Sequence, residues 1–262
     1  MPNELGDFLR ARRADPALGI PAHDPQKRRR TPGLRREEVA AAAGISVDYY
    51  IRLEQGRENR PSDPIMDALA RALHLTSDAR DHLYRLRGTA RASDWAEPVE
   101  DDTVLARMEA LVQTVRPNPA YVLDRLSNMV AVNEEGLALY DGIADLPPER
   151  RNTCRYLMTD PRAQHTFVEW DEIARGAVAH LRAANASSLQ DPQLQALVTE
   201  LSEASPLFAK WWNEHTVQRR RASTKHLRTS DGGIVTRQYE ILNVPDEAFR
   251  VTLWLPGASS QT

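Results

Sequence analysis

The sequence predicts a helical first domain followed by an α+β second domain. Three observations carry this. Residues 3–90 show only helical spacing of apolar side chains. Short apolar alternation appears later, at 121–132 and again at 225–255. Between these regions, Gly88–Asp102 is small, polar and acidic and reads as a linker. The expected division is therefore 1–90, a linker at 91–102, and 103–262. A length of 262 residues suits two domains.

In the first domain, Leu5, Phe8, Leu9 and Arg12 give helical spacing, and that helix ends near Asp15-Pro16. A loop rich in Pro and Arg follows, from Pro21 to Gly33. Helices are expected at about Arg35–Ala43 and Val47–Gln55, broken by Gly44 and stopped by Gly56. Ser62 is placed to cap a fourth helix with Ile65, Leu69, Ala70 and Leu73 on its apolar stripe. A fifth starts after Thr76-Ser77 and carries Leu83 and Leu86.

The second domain opens with a helix at about 103–115, striped by Leu105, Met108, Leu111, Val112 and Val115 and ended by Pro117 and Pro119. Residues 121–123 and 129–132 form a strand pair around Asp124–Asn128. Helices are expected at 134–141, 148–158, 170–184, 192–203 and 206–214, and strands at 225–229, 234–243 and 249–255. Asp231-Gly232-Gly233 is a hairpin signal, because Gly tolerates positive φ. Asp246-Glu247 supplies the next turn. The sheet is therefore small and antiparallel.

Charge divides the chain. Residues 1–92 carry 17 Lys and Arg against 13 Asp and Glu, and the remainder 17 against 24. Arg10–Arg36 alone has nine basic residues and two acidic ones. The first third suits a polyanion, whereas the rest is repelled by one. No apolar run is long enough to span a bilayer, and the first residues lack an apolar signal core, so no membrane association and a cytoplasmic location are expected. One cysteine, Cys154, excludes a disulfide framework within one chain and reads as a buried structural thiol. The seven histidines form no H-x-x-x-H pair, and no G-x-S-x-G, G-x-G-x-x-G or P-loop is present. No enzymatic activity, metal or cofactor is expected.

The informative segment is Arg35–Gly56. A helix-turn-helix needs a small residue at the helix crossing, here Ala40, and a turn tolerating positive φ, here Gly44. It needs apolar residues facing a shared core, and Val39, Ile45, Tyr50 and Leu53 have that spacing. Its second helix lies in a DNA major groove, N-terminal turn first. Ser46 is positioned to cap that helix, and helix N-termini favour phosphate. Val47, Asp48, Tyr49 and Arg52 then project outward or forward. Arg52 can fork onto guanine and Val47 can touch a thymine methyl. Asp48 either accepts from cytosine or simply matches the helix dipole. Arg36, Arg57 and Arg60 are phosphate candidates. Lys27–Arg30 is either a phosphate grip or a solvated run. So small a motif reads few base pairs, and a homodimer on double-stranded DNA is expected.

Val39-Ala40, Gly44-Ile45-Ser46, Tyr50 and Leu53-Glu54-Gln55-Gly56-Arg57 resemble the repressor-type (XRE) helix-turn-helix. With Arg29–Ala40, Arg60-Pro61-Ser62 and Leu69–Leu73, the chain more narrowly resembles the MmyB-like transcription regulators. The similarity continues through Pro119–Val122, Asn133, Thr159-Asp160-Pro161, Trp170, Ser205-Pro206, Trp211-Trp212, Arg219-Arg220 and Thr224-Lys225. The resemblance implies a PAS-like second domain holding a fatty-acid-like ligand. The sequence departs from that family at Ser127 and Val132, where tryptophans are frequent, and at Ser223 and Thr229-Ser230, where Gly and His-Pro are usual.

The ligand candidates are Trp170, Phe208, Trp211, Trp212, Arg220, Tyr239 and Leu253. The aromatic residues fit helical core spacing equally well, and Arg219–Arg221 is either a solvated run or contains a carboxylate clamp. Tyr239, Ile241, Val251 and Leu253 are expected on one sheet face, with a pocket between it and the Trp-bearing helices. The alternative is a second domain that pairs subunits or binds protein, with no small ligand.

Overall fold

A computed structural model describes residues 3–18, 33–58, 60–87, 102–229, 231–244 and 249–255. The basic run Lys27–Arg30, the linker before Asp102 and the turn at Asp246-Glu247 lie outside the described residues. The chain divides into two compact units: Met1–Arg91 with Glu214–Val217, and Ala92–Asn213 with Gln218–Thr262.

The first unit contains five α-helices among its described residues: α1 (Glu4–Arg13), α2 (Arg36–Ala43), α3 (Val47–Glu54), α4 (Asp63–Ala72) and α5 (Ser77–Leu86). Their ends follow from side-chain capping. The Asn3 side chain accepts from the Gly6 amide, Ser46 from Tyr49 and Thr76 from Ala79. Ser62 occupies the N-cap of α4 but makes no side-chain cap, so Pro64 in the first turn sets that start instead. Gly44, at φ +66°, turns the chain between α2 and α3. Phe8, Leu9, Val39, Ala40, Tyr50 and Leu53 are fully buried, and Ala40 lets α2 approach its neighbours closely. On α4 it is Met66, rather than Ile65, that joins Leu69 in the core.

Glu54 joins three helices. Its carboxylate accepts from Arg13 Nε on α1 at 2.6 Å and from Arg36 Nε on α2 at 2.7 Å. Its carbonyl accepts from Asn3 Nδ2 and Arg10 Nη2. Burial pushes this carboxyl up, but the hydrogen bonds and charges of Arg13 and Arg36 outweigh it and hold it below the usual range.

In the second unit, α6 (Asp102–Thr114) precedes β1 (Ala120–Leu123), β2 (Met129–Val132) and α7 (Glu134–Leu137). Then come α8 (Thr153–Thr159), α9 (Arg162–Thr166), α10 (Trp170–Ala184), α11 (Pro192–Ala204) and α12 (Pro206–Asn213). Last are β3 (Ser223–Arg228), β4 (Ile234–Asn243) and β5 (Arg250–Trp254). The α9 turn falls in a stretch for which periodicity predicts nothing. The strands form one antiparallel sheet in the order β2-β1-β5-β4-β3. Gly232, at φ +85°, closes the β3–β4 hairpin. This is the α+β arrangement with a small antiparallel sheet that the sequence pattern predicts.

The sheet has two distinct faces. On one, Val104, Met108 and Val112 of α6 pack on Ala120, Val122 and Val251. That contact follows an i, i+4 ridge, so Leu111, expected in the stripe, is 39% exposed. The other face carries Tyr121, Tyr239, Thr252 and Trp254, and α8 and α10 cover it. Asn133 locks the junction of α6, β1 and α7. It accepts from the amides of Ala120 (3.0 Å) and Gly136 (2.8 Å) and donates to the carbonyls of Val112 and Asn118 (both 2.9 Å).

Two stability outcomes follow. Asn133→Ala leaves four backbone groups without this partner, three of them in buried hydrogen bonds, and costs about 3–4 kcal/mol, read from the denaturant midpoint. Glu54→Gln costs about 2 kcal/mol at pH 7, because Arg13 and Arg36 lose a charged acceptor. A carboxyl held below its unfolded value stabilises above that value, and the contribution is lost as pH falls through the folded one. The gap in melting temperature between wild type and Glu54→Gln therefore closes below about pH 4; a gap that persists there removes the ion pairs as its cause.

Candidate nucleic-acid interface and ligand cavity

The α3 helix presents two unlike sides. Tyr50, Leu53 and Glu54 face inward and are buried. Asp48 and Arg52 are exposed, Val47 and Tyr49 half-buried, and Ser46 is exposed at the N-terminus. The Arg52 guanidinium lies 5.5 Å from the centre of the Tyr49 ring, one turn back, which holds the fork against the helix. The Arg52 carbonyl accepts from Arg57 N at 2.9 Å, so the chain after α3 is tied back and Arg57 is exposed beside the helix end. Arg60 is also exposed, and its amide donates to Glu58. Arg36 is exposed at the start of α2, but its Nε is engaged by Glu54. The eight candidates lie on α2, at the N-cap of α3, on α3 and in the chain beyond it. Sequence reasoning did not assign Glu54 a role, although it sits beside Leu53 on the inward side of α3, where a lone carboxylate needs basic partners.

In the second unit, a cavity of about 30 Å³ lies between the sheet and α8 and α10. Tyr121, Tyr140 and Tyr239 form part of its wall, with Leu123, Leu157 and Ile173 as apolar neighbours. Arg220, Lys225 and Arg250 line it as well. The Lys225 ammonium faces the rings of Tyr239, Trp254 and Phe167 at 4.8, 5.4 and 5.5 Å. Burial, then the neighbouring Arg220 and Arg250, push it well below the ordinary lysine value. Burial and Arg220 lower Arg250 to about 10. Burial and the same two guanidiniums hold His180 well below its usual value, so its imidazole is neutral near pH 7. Arg220 N donates to His180 Nδ1 at 3.2 Å, and Arg250 Nη1 abuts His180 Nε2. Burial raises the Tyr140 phenol, which donates to the Tyr121 hydroxyl at 2.8 Å.

A groove of about 360 Å³ adjoins this cavity and shares Ile173, Arg220, Lys225 and Tyr239 with it. Glu169, Glu172, Arg219, Arg221 and His226 line the groove, and Glu169 pairs with His226 at 2.5 Å.

Of the ligand candidates, Arg220 and Tyr239 line the cavity. The four helical aromatics do not. Trp170 packs on Trp211 and donates to the Leu157 carbonyl, while Phe208 stacks on Trp212, itself covered by Arg182. They hold the helical layer together. Leu253 faces the opposite way: it pairs with Glu240, while Trp254 pairs with Tyr239, so Val251 and Leu253 lie on the α6 side. Lys225 and Arg250 were not singled out from sequence. The available signal was a basic residue at an inward position of an alternating strand. Cys154 is buried, and burial pushes its thiol up to about 12. Among the described residues no three His, Cys, Asp or Glu side chains converge as metal ligands, and no helix is long and apolar enough to cross a membrane.

Comparison with known proteins finds a family match in each part of the chain. Residues 4–83 match a helix-turn-helix domain family. Residues 104–262 match the MmyB-like transcription regulator ligand binding domain. Among solved structures, the chain is similar to the PAS domain of an HTR-like protein from Haloarcula marismortui, at 18% identity over 59% of this chain and 98% of that one, with a TM-score of 0.26. Curated proteins gave no significant match. With helix-turn-helix and ligand-binding modules in this order, and the latter spanning more than half of its length, the chain belongs to the MmyB-like transcription regulators.

Proposed function

We propose that this DNA-binding transcription regulator reads a specific operator through α3 as a homodimer and answers to an acidic small molecule in its second domain. The observation that supports operator reading is the exposed pair Asp48 and Arg52, with half-buried Val47 beside them, on a helix whose other side is fixed in the core. Arg52 forks onto guanine O6 and N7, with Tyr49 holding its plane. Val47 meets a thymine methyl, and Asp48 accepts from cytosine N4. The helix N-terminus at Ser46, with Arg57, Arg60 and Arg36, takes phosphates. A dimer places its two groove helices about 34–36 Å apart. The protein acts in the cytoplasm, without a membrane partner.

The observation that supports an acid ligand is the basic cavity, lined by Arg220, Lys225 and Arg250. The family resemblance favours a fatty-acid-like ligand, with its carboxylate on these cations and its hydrocarbon along Leu123, Leu157, Ile173 and Ile241. The alternative, a second domain that only binds protein or pairs subunits, is favoured by Ile234 and Leu242, which are 59% and 54% exposed on one face of β4. Native mass spectrometry of freshly purified protein separates the readings: a retained acid supports the sensor, and a bare chain that stays bare after incubation with acids supports the alternative.

Two outcomes test the DNA reading. Arg52→Ala relaxes one operator position by roughly 1–3 kcal/mol, so a randomised-site selection returns an altered consensus; an unaltered consensus would mean that Arg52 reads no base. Arg57→Ala weakens binding to all sequences and flattens the salt dependence by about one unit. An unchanged slope takes Arg57 out of the phosphate contacts. Arg57 is the cleaner probe, because Arg36→Ala also strips a partner from Glu54.

A further inference from the structure

Buried cations in folded proteins are ordinarily paired with carboxylates. The cavity in the second unit breaks that rule. Lys225 on β3, Arg250 on β5 and Arg220 before β3 line the same small space, and no carboxylate lines it. The Lys225 ammonium meets no hydrogen-bond or ion-pair partner among the described residues; three aromatic rings are its company. Arg250 is buried, its Nε has no partner, and its Nη1 meets the neutral His180. Arg220 has one Nη hydrogen-bonded to the Ile173 carbonyl at 3.2 Å. The carboxylates closest to this set along the groove, Glu169 and Glu172, lie outside the cavity, and Glu169 is already paired with His226.

The space itself, about 30 Å³, admits a head group only. A single carboxylate offsets one of the clustered charges. A group with two negative charges offsets two, and its several oxygens suit two guanidinium forks and an ammonium together. The adjoining groove of about 360 Å³ is lined by charged and polar side chains, among them Glu172, Arg219, Arg221 and Gln218. A hydrocarbon there lies against charge, whereas a polar body finds donors and acceptors.

We propose that the Arg220–Lys225–Arg250 cavity seats a doubly charged oxyanion, a phosphate monoester or a dicarboxylate, carried on a polar body that occupies the adjoining groove. This rests on the reading that the second domain binds an acid, and it replaces a fatty acid with a more highly charged, more polar one.

The test uses the full-length protein with phenyl phosphate, succinate and decanoate at equal concentration, pH 7 and constant ionic strength. Thermal unfolding and direct titration are the readouts. The expected result is that phenyl phosphate or succinate raises the melting temperature and binds at least tenfold more tightly than decanoate. The arm that responds tells phosphate from dicarboxylate. Lys225→Met removes a buried polar group that has no hydrogen-bond partner, so it raises the melting temperature of the free protein while abolishing the ligand-induced shift. Arg220→Gln alters a half-buried side chain shared by cavity and groove and weakens binding about tenfold or more. A shift that survives in both variants is general anion stabilisation and overturns the proposal. Binding of decanoate with both dianions silent overturns the double charge and leaves the acid reading standing. Silence of all three ligands overturns both.

Discussion

The carboxylate of Glu54 is the point on which the first unit turns. It is fully buried, yet it is met by guanidiniums from two helices, and the carbonyl of the same residue is met by Asn3 and Arg10. An unpaired carboxylate there would cost several kcal/mol, so α1, α2 and α3 are required to arrive together. The consequence reaches the outer side of α3. With Tyr50, Leu53 and Glu54 fixed inward, helical geometry leaves Asp48 and Arg52 on the exposed side. The exposed side of α3 is thus set by a charge on its inner side.

The second unit treats buried charge in the opposite way. Lys225 and Arg250 are buried too, but no acid lines the cavity beside them. Stability alone would favour apolar residues at both positions. Such a conflict between local cost and fold is expected where a site waits for a partner. The surrounding aromatic rings soften the cost through their π faces without neutralising the charge. On the proposed reading, a partner that brings negative charge does what the chain leaves undone, and binding would gain selectivity for acids over neutral molecules of the same shape.

What the sequence made legible was local. Gly44, Ser46 and Ala40 act within one or two turns of themselves, so the helix-turn-helix was readable, as were α10 at 170–184 and β4 at 234–243. What it concealed was non-local. Strand residues alternate faces, and only the pairing of Glu240 with Leu253 and of Tyr239 with Trp254 decides which set looks at the helices. One residue of parity carried Leu253 from the expected pocket to the α6 side. The tryptophans failed as pocket markers for a similar reason: helical spacing says that Trp170 and Trp211 have inward faces, but not that each meets the other. Arg250 lies in a strand otherwise apolar but for Thr252, and nothing local shows that it converges with Lys225 from 25 positions earlier.

The same alternation gives the second unit a means of transmission. Tyr121 and Thr252 face the cavity, while Val122 and Val251, their neighbours in sequence, pack against α6. A ligand that draws Arg250 or spreads β1 from β5 displaces side chains on both faces at once, because a close-packed sheet has no slack to absorb the change on one side. The helix packed on that second face, α6, is the one that follows the first domain in sequence. Tight binding alone does not make this a switch. The ligand changes operator affinity only by the ratio of its affinities for two arrangements of the protein, and a tenfold change requires a difference of about 1.4 kcal/mol. A cavity of uncompensated cations suits that requirement. Its attraction for an acid depends steeply on how closely Arg220, Lys225 and Arg250 are gathered, so two arrangements that differ by little in geometry differ appreciably in affinity.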